Sequence, residues 1–166
     1  MSAIIPTPLI RPIRPADNAA LAAIIRATLA EFGAAKPGTV YYDPTTDHLH
    51  ELFQAPRSQY FVAEAADGAV LGGVGIFPTP GLGPGVAELV KVYLRHAARG
   101  TGLGRRLIEQ SLTWAREAGF QQIYLETLPE LTQAVPLYER LGFAYLPGPL
   151  GQSGHFGCTI WMLRAA

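Results

Sequence analysis

The segment Arg99-Gly100-Thr101-Gly102-Leu103-Gly104 places three glycines between two apolar patterns. Residues 86–94 form an apolar run that predicts a strand, and the apolar residues of 103–118 recur at helical spacing. The start of a helix presents unpaired backbone N–H groups and a partial positive charge. Because glycines let an anion approach those N–H groups closely, the segment predicts a phosphate-binding loop.

The distribution of charge around this segment supports the same prediction. Five of the thirteen Lys and Arg residues of the chain lie in or beside it, and no acidic residue lies between Glu88 and Glu109. The five basic residues are Lys91, Arg95, Arg99, Arg105 and Arg106.

Three kinds of phosphate loop compete at this position. A Walker loop requires Gly-Lys-Ser/Thr after four intervening residues, which is absent. A dinucleotide-binding loop would use Gly100 and Gly102, with Glu126 on the ribose, but Arg105 occupies the third glycine position. About forty residues after Glu126 are also few for the remaining strands of such a domain. The third pattern is Arg-x-x-Gly-x-Gly, which Arg99, Gly102 and Gly104 satisfy.

This third pattern resembles the acetyl-CoA pyrophosphate loop of the GCN5-related N-acetyltransferases, the GNAT superfamily. A second segment, residues 134–143 (AVPLYERLGF), is similar to the late A-x-x-L-Y-x-x-L-G-F segment of that family. Both segments occur in the family's order, and together with the helix and strand between them they cover residues 86–146. Their joint occurrence is more specific than either short motif alone.

The resemblance implies an α/β (α+β) fold, with a mixed, mostly antiparallel central sheet and helices on both faces. It also implies one N-acetyltransferase domain over residues 1–166, a length that suits a single core. Periodicity and turn residues agree with this order of elements. Strands are predicted at 9–14, 60–65, 70–77, 86–94, 122–127, 143–146 and 156–163, and helices at 17–33 (capped by Asp17), 48–54, 103–118 and 133–141.

The resemblance further implies acetyl-CoA as cosubstrate and assigns residues to it. The pantetheine arm would pair with Val92 and Leu94 where two strands splay apart, and backbone N–H groups of the glycine loop would hold the pyrophosphate. Arg99 and Arg105 would add charge-assisted hydrogen bonds. One departure is His96, which stands where the family commonly has proline. The full predicted cofactor-binding set is Val92, Tyr93, Leu94, Arg99, Gly100, Thr101, Gly102, Leu103, Gly104, Arg105, Thr127, Ala134 and Tyr138.

Tyr138 is the predicted catalytic acid, because the family uses its late tyrosine to protonate the departing thiolate. The alternative is a packing role on an amphipathic helix. Glu88, the only acid on the long strand, is the predicted base for the substrate ammonium, and the alternative is a carboxylate that faces solvent. Glu126 is a second candidate, although pairing with an arginine is the more ordinary role for it.

Other nucleophiles and metals are not expected. The single cysteine, Cys158, lies in an apolar run that predicts a buried and inert thiol, so direct transfer is favoured over an acyl-enzyme. His48, His50, His96 and His155 show no metal-ligand spacing, and no metal is expected.

Composition limits the partners. Zero net charge and the lack of a polybasic run argue against nucleic acid and membrane surfaces. The expected acceptor is the amine of a small molecule, of an amino acid or of a peptide, and a homodimer is possible. One cysteine and no signal peptide favour the cytoplasm. Residues 37–53 would cover the acceptor side, with Tyr41, Tyr42, Asp43, His48 and His50 available as walls. A coenzyme A-binding module without catalysis remains an alternative.

Overall fold

The computed structural model describes residues 4–166, which form seven strands and four helices. The strands are β1 (Leu9–Pro12), β2 (Gln59–Glu64), β3 (Val70–Phe77), β4 (Val86–Leu94), β5 (Gln122–Thr127), β6 (Ala144–Leu146) and β7 (Ile160–Ala165). The helices are α1 (Asn18–Glu31), α2 (Leu49–Leu52), α3 (Leu103–Glu117) and α4 (Ala134–Arg140). None of the helices within residues 4–166 is long and apolar enough to cross a membrane.

All seven strands belong to one sheet in the order β1-β2-β3-β4-β5-β7-β6. Only β4 and β5 pair in parallel, and every other pair is antiparallel. Buried side chains form one core between the sheet and α3 and a second core between the sheet and α1. The predicted mixed, mostly antiparallel sheet with helices on both faces is therefore confirmed.

The parallel pair at the centre of the sheet is short. Strands β4 and β5 pair only from Val86 opposite Gln122 to Glu88 opposite Tyr124. Beyond Glu88 the two strands diverge, while β5 pairs with β7 along its whole length. The result is a gap in the sheet between the second half of β4 and the end of β5.

A β-bulge lies in the second half of β4. The pairing of β4 with β3 shifts between Gly73 and Gly75, and Lys91 adopts a left-handed φ of 53°. The hydroxyl of the fully buried Tyr60 donates a hydrogen bond to the Lys91 carbonyl at 2.9 Å, which holds this backbone in place. Bulges of this kind redirect a side chain next to a binding site.

Most predicted helix boundaries hold. Pro136 is the third residue of α4, inside the first turn where its missing N–H has no intrahelical partner, and Gly142 follows the helix with a left-handed φ of 86°. Asp17 holds the predicted N-cap position of α1, but its side chain makes no capping hydrogen bond to that helix. Its carboxylate accepts instead from the Arg11 guanidinium at 2.8 and 2.9 Å and from the Arg14 backbone N–H at 2.7 Å.

The last strand begins later than predicted. Strand β7 starts at Ile160, and residues 147–159 form a loop that bonds to Tyr124 and Thr127 of β5 and to Pro80 in the loop before β4. Gly157 in this loop donates its N–H to the Gly38 carbonyl at 2.9 Å. A Cβ atom at Gly157 would lie 2.9 Å from the Pro37 carbonyl oxygen, so this close approach depends on glycine. This long-range contact keeps residues 156–159 in the loop, although their apolar pattern predicts a strand.

Candidate active site

The glycine loop joins β4 to α3 with its backbone exposed. Gly100 and Gly102 have left-handed φ values of 73° and 82°. Apart from the adjoining residues, nothing within residues 4–166 lies closer than 4 Å to where a Cβ would stand on either. Gly102 is the residue before α3. Within residues 4–166, the backbone N–H groups from Gly102 to Arg105 donate to no other group. The loop therefore offers free donors and open space to an anion.

The side chains of the loop are engaged by the protein itself. The Arg99 guanidinium donates to the Leu94 carbonyl at 3.1 Å and lies 2.8 Å from the Glu31 carboxylate. Arg105 pairs with Glu109 at 2.9 Å. The Leu103 side chain is in the core, so only its backbone faces the loop. The backbone N–H groups therefore have no partner within residues 4–166, and Arg105 is bonded through Nε alone. The predicted contacts of Arg99 and Arg105 with the pyrophosphate stay predictions.

A cleft of about 430 Å³ runs from the glycine loop to α4. One wall is the exposed edge of β4, where Val92 and Leu94 lie, and the opposite wall is α4 with Leu137 and Tyr138. Of the predicted cofactor-binding residues, this cleft is lined by Val92, Tyr93, Leu94, Arg99, Gly100, Gly102, Gly104, Arg105, Ala134 and Tyr138. The Thr101 hydroxyl instead donates to the Ala98 carbonyl at 2.8 Å.

A second, smaller cavity of about 60 Å³ occupies the gap between β4 and β5. It shares part of its lining with the cleft, so the two spaces adjoin, and Tyr138 lies at the junction. The shared residues are Val92, Tyr93, Leu131, Ala134 and Tyr138. Thr127 at the end of β5 lines only the smaller cavity.

Two carboxyl groups, Glu88 and Glu126, line the smaller cavity from facing strands. Burial raises the pKa of Glu88 to about 7, the nearby Glu126 charge acts in the same direction, and a 2.5 Å hydrogen bond from the Thr79 hydroxyl opposes it. Burial also raises the pKa of Glu126. A carboxyl group that titrates near neutral pH can accept a proton from a substrate ammonium.

Tyr138 is almost fully buried, and its ring packs edge-on against Phe143 with the centroids 5.9 Å apart. Burial raises the pKa of the Tyr138 hydroxyl above its usual value, so the phenol keeps its proton at neutral pH. The side chain therefore packs in the core and also faces the point where the two cavities meet. A protonated phenol at this position can donate to a developing anion.

Lys91 contributes the one lysine side chain of the smaller cavity, and only 4% of that side chain is exposed. Its ammonium lies 3.7 Å from the Asp43 carboxylate, beyond hydrogen-bond distance. The same carboxylate oxygen accepts a hydrogen bond from Nε2 of His155 at 3.2 Å, and this bond holds the pKa of Asp43 well below its usual range. Burial lowers the pKa of Lys91.

Cys158 also lines the smaller cavity, from the loop before β7 and not from a strand. Burial raises the pKa of its thiol to about 12, which leaves the sulfur protonated and weakly nucleophilic at neutral pH. The predicted strand position of Cys158 is wrong, and the prediction that it does not act as a nucleophile stays a prediction.

Comparison with known proteins decides the family. A family model described as "Acetyltransferase (GNAT) family" matches residues 22–143. The chain belongs to the GNAT family. It is 40% identical over 159 residues, 95% of each chain, to the uncharacterised N-acetyltransferase YjgM of Escherichia coli K12. This GNAT protein is therefore an acyltransferase.

Solved GNAT structures share the fold. An acetyltransferase of the GNAT family from Staphylococcus aureus Mu50 superposes with a TM-score of 0.83 at 18% identity, over 95% of this chain and 98% of the other. A GNAT phosphinothricin acetyltransferase from Sinorhizobium meliloti, solved in complex with acetyl-CoA, superposes with a TM-score of 0.75 at 20% identity, over 96% and 89% of the two chains.

The structure leaves most of the residues predicted as walls of the acceptor side outside the smaller cavity. Glu126 pairs with no arginine within residues 4–166. Tyr42 and His48 are exposed and His50 bonds to Gln54, so none of the three lines the cavity, nor does Tyr41. Asp43 lies beside the cavity, with its carboxylate 3.7 Å from the Lys91 ammonium.

Among residues 4–166, no group of three or more His, Cys, Asp and Glu side chains is placed to hold a metal ion.

The sequence did not point to Thr79, Lys91 or His155 as site residues. His155 approaches Asp43 across 112 residues of sequence, and Thr79 approaches Glu88 from a Gly/Pro-rich loop. Lys91 offered one signal, since a lysine within an apolar strand must be paired or functional when it is buried.

Proposed function

We propose that this GNAT protein transfers the acetyl group of acetyl-CoA directly to the amine of a small molecule. One observation carries the proposal. The cleft begins at the free backbone N–H groups of the glycine loop and adjoins the smaller cavity, which contains Glu88 with a pKa of about 7. Tyr138 lies where the cleft and the cavity meet. The cleft would hold the cosubstrate, and the cavity would hold the acceptor.

The cofactor side fits coenzyme A by its donors and its shape. Free N–H groups at the start of α3, with open space beside Gly100 and Gly102, suit a pyrophosphate. The unpaired half of β4 beside Val92 suits the amides of a pantetheine arm, because β4 has no strand on that side. The Leu94 carbonyl already accepts from Arg99, which leaves Val92 as the better of the two predicted partners. Acetyl-CoA, when bound, supplies the activated acetyl thioester.

Proton transfer would be divided between two residues. Glu88 is ionised in part at neutral pH and would accept the proton of the incoming ammonium, directly or through a water molecule. Tyr138 keeps its proton and would donate it to the departing sulfur. The raised pKa of Cys158 favours direct attack by the amine over a covalent acyl-cysteine.

The acceptor would be small because two loops cover its cavity. Residues 147–159 are joined to residues 34–47 by the hydrogen bond from Gly157 to Gly38 and by the contact of His155 with Asp43. The cavity beneath them measures about 60 Å³, which suits the head of a small amine. Glu88 is 3% exposed, so an acceptor amine must enter the cavity on a slender group to reach it.

The proposal is tested in two steps with the intact chain. Calorimetric titration with acetyl-CoA measures binding, and a panel of amines, amino acids and lysine peptides is then screened for acetyl-CoA-dependent thiol release. We expect binding without an acceptor, turnover with at least one small amine, and no turnover with the peptides. Binding with no thiol release for any amine would support a coenzyme A-binding module without catalysis.

A further inference from the structure

Lys91 is a primary amine that already lies in the proposed acceptor cavity. Its side chain is 4% exposed, its ammonium donates no hydrogen bond within residues 4–166, and its ion-pair partner Asp43 is 3.7 Å away. Burying an ammonium with so few partners is costly, and burial accordingly lowers the pKa of Lys91 toward the neutral, nucleophilic form.

The cavity that holds Lys91 adjoins the cofactor cleft. Lys91 and Tyr138 line the same space of about 60 Å³, and Tyr138 also lines the cleft. An acetyl group carried past Tyr138 from the cleft would therefore enter the space that Lys91 lines. Glu88, the proposed base, lines the same space. The groups proposed to activate a bound amine therefore line the same cavity as Lys91.

We propose that Lys91 is an acetyl acceptor in cis, modified by the acetyl-CoA bound to its own chain when the acceptor amine is absent. This inference rests on the proposed function. The neutral Nζ attacks the thioester carbonyl, the N–C bond forms as the C–S bond breaks, and the Nζ proton is lost as the sulfur leaves as the free thiol. The product keeps no charge on Lys91 and fills the acceptor cavity, so the modified protein is inactive.

The sequence makes this modification easy to locate. The chain contains only two lysines, Lys36 and Lys91. The Lys36 side chain is 41% exposed and pairs with Glu130 at 3.0 Å. Non-enzymatic acetylation by acetyl-CoA would favour the exposed Lys36, whereas transfer within the site would favour the buried Lys91. Lys36 is thus an internal control for background chemistry.

The experiment incubates the full chain with acetyl-CoA alone, digests it with trypsin and maps the peptides by mass. Trypsin cleaves after unmodified Lys91 and releases residues 58–91 and 92–95, but acetylated Lys91 leaves one peptide, 58–95, with one added acetyl group. We expect this peptide in the wild-type chain and in Lys36→Arg. We also expect its rate of formation to be independent of protein concentration, and an acceptor amine to slow it.

Two outcomes would overturn the proposal. One is acetylation of Lys36 in preference to Lys91. The other is an unmodified Lys91 after long incubation of a chain that binds acetyl-CoA in calorimetry and turns over an amine. Loss of both binding and turnover would instead contradict the proposed function, so the two failures are distinguishable. A Tyr138→Phe chain provides a further check, because its Lys91 should be acetylated more slowly while Lys36 is unaffected.

Discussion

Replacing Glu88 with glutamine should make the protein more stable and less active at the same pH. Burial raises the pKa of the Glu88 carboxyl in the folded chain to about 7, from its usual value of 4.5. As pH rises between these values, the unfolded chain loses this proton while the folded chain retains it, so stability falls. Above pH 7 the folded chain carries the full cost of a buried carboxylate. Glutamine avoids that cost and can still accept the hydrogen bond from Thr79.

The size of the effect follows from the shift. Raising a pKa from 4.5 to about 7 corresponds to roughly 3 kcal/mol. Glu88→Gln should therefore exceed the wild type in unfolding free energy by up to roughly 3 kcal/mol at pH 8, and by less than about 1 kcal/mol at pH 5. Activity should move the other way, with kcat/KM lower by about 10²-fold or more at pH 8, as positioned bases typically contribute.

Urea unfolding at several pH values and a pH–rate profile measure the two effects. The profile should use an acceptor amine that stays an ammonium over the whole pH range, so that the fall in kcat/KM at low pH reports protonation of the enzyme and not of the substrate. Wild-type kcat/KM should rise about tenfold between pH 6 and pH 8, and the variant should lose this rise. Glu117→Gln, the same change on the exposed surface of α3, should alter stability by less than about 0.5 kcal/mol. A Glu88→Gln chain that is less stable than the wild type at pH 8, or that keeps the acid limb, would refute the reasoning.

Three further predictions concern the loop, the acid and the thiol. Gly102→Asp should abolish measurable acetyl-CoA binding in calorimetry, whereas Gly102→Asn, which tolerates the same left-handed φ and adds no charge, should bind more weakly than wild type but detectably. Equal affinities would show that no anion binds there. Tyr138→Phe should lower the single-turnover rate by about 10²-fold with little change in melting temperature or acetyl-CoA affinity, because only the hydroxyl is lost. An unchanged rate would leave Tyr138 a packing residue. Cys158→Ala should retain most of its turnover with sequential kinetics, and an inactive variant with parallel double-reciprocal lines would indicate an acyl-cysteine.

Elements with strong local patterns could be predicted from the sequence. The bounds predicted for β4 and β5, 86–94 and 122–127, match the structure. Helix α4 was bounded correctly to within a residue because proline tolerates only the first turn and Gly142 favours a left-handed stop. The glycine loop was located for the same kind of reason, since its left-handed positions and its place before a helix are local properties.

The acceptor side could not be predicted because long-range contacts build it. The loop of residues 147–159 lies over the cavity through backbone contacts with residues 37–38, and no local pattern encodes that approach. His155 gains its position from Asp43, and Glu88 gains its raised pKa from burial beneath loops distant in sequence. The left-handed φ of Lys91 depends on the bulge in β4, which forms only when β3 pairs beside it.

The short pairing between β4 and β5 divides the sheet into two halves, β1–β4 and β5–β7, joined in register by three residue pairs. Backbone amides in the second half of β4 therefore depend on few neighbours for protection, and hydrogen exchange should be faster there than in the paired first half. A ligand that bonds to this open edge acts as a replacement strand. At a concentration of 100 Kd it would add about 2.7 kcal/mol to the free energy of unfolding by mass action. Without the ligand, we expect local unfolding to begin where β4 and β5 separate.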